Sequence, residues 1–174
     1  NSHMNLDILF IHPNASKKIY QGLSNDHSAI EPPIWAGMLA NHCRGKNFNV
    51  KILDCEVERL DYISSAKEIH NLNPNIKTLF VGGHISALPK ETLENEKSID
   101  IIALNEGVYA ISNLLRVEDL NDDKSLRKIK GIGFRNEDNF IEINEAEIIV
   151  PKKLLDTDLP GIAWDLLPPL KMYR

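Results

Sequence analysis

Four short apolar runs, LDILFIHP, NVKILDCE, TLFVGG and IDIIALNEG, divide the first 107 residues, and a segment with helical spacing follows each of them. This alternation most constrains the fold. Runs of four to six apolar residues bounded by polar or turn residues read as strands buried on both faces, as in a parallel sheet. The first spans Leu6 to Ile11, the second Val50 to Leu53, the third Thr78 to Val81 and the fourth Asp100 to Leu104. Between them, Ile34, Met38, Leu39 and His42 or Cys43 share one helical face, and Ile63, Ala66, Ile69 and His70 share another. Pro33 and Pro89 suit helix starts, and Asn73-Pro74 suits a helix stop. A fourth helix turns Val108, Ile111, Leu114 and Leu115 inward. Strand and helix in strict alternation predict an α/β fold, a parallel sheet with helices on both faces.

The pattern changes after residue 120. SLRKIKGIGFRNEDNFIEIN predicts a β-hairpin, Ile132–Arg135 and Phe140–Ile143 flanking the polar turn Asn136-Glu137-Asp138-Asn139. From Ala146 the chain is proline-punctuated and predicts an extended connector with short turns. Its Trp164, Leu166, Leu167 and Tyr173 call for a surface to pack on. NSHM at residues 1–4 resembles a cloning remnant and is left out of the fold. The domains expected are therefore residues 5–120, a hairpin extension at 121–145 and a connector at 146–174.

Composition narrows the function. Net charge is −5, which disfavours a nucleic-acid partner, since such proteins usually present a basic face. No apolar run approaches the roughly 20 residues that span a bilayer, and no secretory signal precedes the first strand. The expectation is a cytoplasmic protein. The two cysteines, Cys43 and Cys55, form no C-x-x-C pair. An iron–sulfur cluster needs three or four cysteines at close spacing, so this chain cannot hold one alone.

In open parallel sheets, ligands sit outside the carboxyl ends of the strands. The residues there are His12-Pro13-Asn14, Asp54, Gly82-Gly83-His84 with Ser86 beyond, and Asn105-Glu106-Gly107. Each has an ordinary alternative. Asp54 could cap a loop instead of meeting a ligand. Gly82 and Gly83 allow close approach of a bulky planar ligand or serve a turn with positive φ. His84 could ligate a metal, but a lone loop histidine more often makes hydrogen bonds. His12 could close the strand end. Glu106 could act as a base or bind backbone amides. The G-x-G-x-x-G loop of dinucleotide folds does not follow the first strand. No nucleophile arrangement stands out, so no catalytic residue and no metal ligand is assigned.

These strand tips carry a family resemblance. AIEPPIWAGMLANHCRGKNFNVKILDCE, VGGHISALPKETL, IDIIALNEGVYAISNLL, IKGIGFRNEDNFI and DTDLPGIAWDLLPPLKMYR resemble, in order, five segments of the N-terminal cobalamin-binding domain of cobalamin-dependent radical S-adenosylmethionine enzymes. The resemblance covers most of residues 6–174. It implies a Rossmann-like domain that holds cobalamin over the carboxyl edge of its sheet, with cobalt unligated by the protein. It also implies a parent polypeptide with a radical barrel, a [4Fe–4S] cluster and S-adenosylmethionine, and a methyl-transferring reaction. The chain departs from the pattern twice. Asn105 stands where the family usually has glycine. Only CEVERLD precedes YISSAKEIH, where the family carries a further strand and loop. Beside this reading stands a flavodoxin-like or regulatory α/β binding domain without catalysis.

Overall fold

A computed structural model describes residues 5–12, 32–81 and 88–173. The fold is α/β, with strands in two sheets and flanking helices, and it divides into two compact units.

The first unit comprises Asn1–Ser65 and Asp156–Arg174. Strand β1 (Ile8–His12) pairs in parallel with β2 (Val50–Asp54), Ile8 opposite Val50 and His12 opposite Asp54. A parallel pair requires a crossover, and helix α1 (Ile34–Gly45) lies within it. Its buried residues Gly37, Leu39, Ala40, His42 and Cys43 form one stripe, with Phe10 and Val50 buried on the strands. Ile34, expected on that stripe, is exposed instead. Arg44 occupies the last turn, where a cation complements the helix dipole. The distal connector belongs to this unit. It forms a short helical turn at Trp164–Leu166 and another at Leu170–Met172, as the proline punctuation predicts.

The second unit is Ala66–Leu155. It begins within helix α2 (Tyr62–Leu72), which buries Ala66 and half-buries Ile69 and His70 on the expected face. Strand β3 (Leu79–Val81) pairs in parallel with β4 (Ile101–Ala103) across helix α3 (Pro89–Asn95). Helix α4 (Val108–Leu114) and the short α5 (Asp123–Leu126) follow β4. Strands β5 (Ile132–Arg135) and β6 (Ile141–Ile143) form the expected hairpin. The sequence names no partner for this hairpin. The structure supplies one: β5 pairs antiparallel with β4, Ile101 opposite Phe134, giving a mixed sheet of order β3-β4-β5-β6.

Period-two alternation explains why β4 is apolar throughout. Ile101 and Ala103 join Ala110, Leu114, Leu126, Ile132 and Phe134 on one face. Ile102 joins Leu93 and Ile99 on the other. A side chain at Gly133 would place Cβ 2.6 Å from Ile143 Cδ1 and 3.1 Å from Ile102 Cγ1, so both isoleucines pack directly over the glycine. The hairpin turn is held by Asn136, whose Oδ1 accepts from the amides of Asp138 and Phe140 at 3.0 and 2.9 Å. Among the described residues, no helix is long and apolar enough to cross a membrane.

Candidate functional site

In the first unit the register sets His12 and Asp54 side by side at the carboxyl ends of β1 and β2. Asp54 is 1% exposed. Its Oδ1 accepts from the amides of Glu56 at 3.0 Å and Val57 at 3.3 Å, which bend the chain out of the strand. Its Oδ2 accepts from the Tyr173 hydroxyl at 2.7 Å. A buried carboxylate demands such donors, and these come from the chain itself. In this arrangement Asp54 closes the loop that leaves β2. Burial first, and the Asp54 hydrogen bond and charge next, push the Tyr173 phenol up from its ordinary range. His12 Nε2 lies 3.8 Å from Glu56 Oε2 in a partly exposed pair, and the His12 carbonyl accepts from the Cys55 amide at 2.9 Å.

Both cysteines are buried free thiols. Desolvation pushes Cys43 up to about 12. Desolvation, then the charges of Asp54 and Asp61, raise Cys55. A thiol is a nucleophile only as thiolate, so neither is poised for chemistry at neutral pH.

In the second unit β4 runs into Leu104, whose amide donates to the Gly131 carbonyl at 2.8 Å. Asn105 and Gly107 take left-handed φ values of 55° and 70° on either side of Glu106. This turns the chain into α4, with Gly107 as its N-cap. A Cβ on Gly107 would lie 3.1 Å from both Ala103 Cβ and Val81 Cγ1, so glycine here serves both conformation and packing. Glu106 Oε2 accepts from the Val150 amide at 3.1 Å. That is the backbone-binding alternative raised for Glu106. A depression of about 210 Å³, open to solvent, is lined by Asn105, Glu106, Gly107, Tyr109, Glu147 and Ile149 among others.

Pro13, Asn14, Gly82, Gly83, His84 and Ser86 lie outside the described residues. Among the described residues, no group of three or more His, Cys, Asp or Glu side chains has the arrangement to hold a metal ion. Sequence reasoning missed the partners of the tip carboxylates. Tyr173 was visible as an aromatic in need of a surface. Val150 gave no signal, because a backbone amide carries none.

No family model matches the chain. Among curated proteins it is similar to the anaerobic magnesium-protoporphyrin IX monomethyl ester cyclase of Cereibacter sphaeroides, 22% identical over 90% of this chain and 30% of that protein. Among solved structures it is similar to the cobalamin-dependent S-adenosylmethionine radical enzyme OxsB with aqua-cobalamin and S-adenosylmethionine bound. The TM-score is 0.61 at 14% identity, covering 91% of this chain and 24% of that one. The same enzyme with aqua-cobalamin alone gives 0.60 at 15% identity and the same coverage. These likenesses establish a shared fold. The chain spans about 30% of the curated relative's length and about a quarter of the solved enzyme's.

Proposed function

We propose that the chain is the cobalamin-binding module of a radical S-adenosylmethionine enzyme. The observation that carries this reading is the extent of the structural likeness. A generic α/β likeness would stop where the alternating strands and helices stop. This one covers 91% of the chain, so it must run well into residues 121–174, because the uncovered tenth is much shorter than that stretch. The five sequence segments in matching order support the same assignment, with residues 5–120 as the cofactor domain, 121–145 as its hairpin extension and 146–174 as the connector toward a barrel.

The residues proposed to contact the cofactor are His12, Pro13, Asn14, Asp54, Gly82, Gly83, His84, Ser86, Asn105, Glu106 and Gly107. The chemistry of the described ones fits a cofactor held by its periphery. Asp54 would reach the cofactor only on releasing the Tyr173 hydroxyl, whereas Glu106 has only Oε2 on the Val150 amide. Partly exposed His12 is a hydrogen-bonding group, suited to the amide fringe of a corrin. Cobalamin, when bound, supplies a cobalt centre that carries a methyl group, and the proposed parent reaction is methyl transfer. In that parent a [4Fe–4S] cluster and S-adenosylmethionine would belong to a barrel in the same polypeptide, a cytoplasmic transferase.

Mixing the purified chain with hydroxocobalamin, desalting, and recording the visible spectrum tests the module. Retention of about one equivalent at micromolar protein is expected. Complete loss of the cofactor, or a yellow protein that carries flavin from purification, overturns the reading.

A further inference from the structure

In the first unit the distal connector has two parts of different character. Residues 158–165 are fastened along α1. The Asp158 carbonyl meets His42 Nδ1 at 2.5 Å, and its carboxylate lies 3.6 Å from Lys46 Nζ. Asn41 Nδ2 donates to the Gly161 carbonyl at 3.2 Å, and the Ala163 amide donates to the Gly37 carbonyl at 3.1 Å. Arg44 grips the Asp165 carboxylate through two bonds of 2.6 and 3.1 Å. Residues 168–173 have no comparable fastening to α1. They form one turn closed on itself, by Met172 on the Pro169 carbonyl and Tyr173 on the Leu170 carbonyl. Leu170 is 63% exposed, with Lys171 and Met172 exposed beside it. Among the described residues, the Tyr173 hydroxyl on Asp54 ties this turn to the sheet.

We infer that Pro168–Tyr173 is a strap over the carboxyl end of β2, with the Tyr173–Asp54 hydrogen bond as its clasp. With the clasp closed, both Asp54 oxygens are taken and the carboxylate is buried. With it open, the fastened part on α1 stays in place, and one Asp54 oxygen turns to solvent at the edge where parallel sheets receive ligands. The strap thus sets access to that edge. The inference does not depend on which ligand binds there.

Trypsin reports on the strap directly, because Lys171 lies within it and Lys153 lies outside the unit. The readout is cleavage after Lys171 relative to cleavage after Lys153 in the full chain, by mass spectrometry. Y173F keeps the ring and removes the hydroxyl. It should raise the ratio about tenfold, the scale of one lost hydrogen bond to a charged acceptor. Amide exchange at Glu56 and Val57, which share Asp54, should accelerate while α1 holds its protection. D54N leaves only a neutral amide to bond the phenol and should give a ratio between wild type and Y173F. An unchanged ratio in Y173F overturns the strap. So does loss of protection across α1, the mark of a tyrosine that merely holds the unit together.

Discussion

At the scale of the residue, Gly37 shows how the connector constrains the helix beneath it. Glycine inside a helix costs roughly 0.5–1 kcal/mol relative to alanine. Here a Cβ would stand 2.5 Å from Ile162 Cγ2, and the Gly37 carbonyl receives the Ala163 amide. The Ile162 methyl of the connector lies where a Cβ would be. G37A gains helix propensity and suffers overpacking of about 1–3 kcal/mol. A net loss of about 1 kcal/mol is expected in urea unfolding. Gly45, at the end of the same helix, is the matched control. Nothing lies within 4 Å of its Cβ position, so G45A should leave stability unchanged or raise it by up to about 1 kcal/mol. Equal effects at the two sites would show that Gly37 is not the seat of the connector.

At the scale of the element, the hairpin separates what sequence can disclose from what it cannot. Phe134 and Phe140 flank the same turn and look alike in sequence. Pairing with β4 buries Phe134 completely and leaves Phe140 70% exposed. F134A should therefore cost about 3–5 kcal/mol and F140A well under 1 kcal/mol, read from denaturant midpoints. A comparable loss in F140A would mean that the register is shifted, since a one-residue slip exchanges the two faces of a strand. The strands themselves were legible, because burial on two faces writes a continuous apolar run. Helix α5 was not, because four residues are too few for periodicity and its start signal is a single capping carboxylate, Asp122. Topology alone puts His12 and Asp54 at the ends of β1 and β2, and Asn105 to Gly107 just beyond β4. Their chemistry stayed hidden, because the partners of Asp54 and Glu106 lie 119 and 44 residues away in sequence. No local pattern encodes such a distance.

At the scale of the molecule, the two units should respond differently to alkaline pH. Cys43, Cys55 and Tyr173, all raised above their ordinary values, belong to the first unit. A group whose folded pKa is raised stabilises fully below its unfolded pKa. That contribution is lost as pH climbs toward the folded value, because the unfolded chain gives up the proton first. For Cys43 the window runs from 9.0 to about 12. At about pH 11 this thiol alone should have withdrawn on the order of 2–3 kcal/mol. Both tryptophans, Trp35 and Trp164, also lie in the first unit, so their fluorescence reports on it selectively. The urea midpoint followed by tryptophan fluorescence should fall steeply between about pH 9 and pH 11, and further than the midpoint followed by far-ultraviolet circular dichroism, which sees both units. C43A should flatten that slope, because alanine has no proton to lose. A fluorescence midpoint that is level across this range would mean that the Cys43 thiol is not sealed beneath α1.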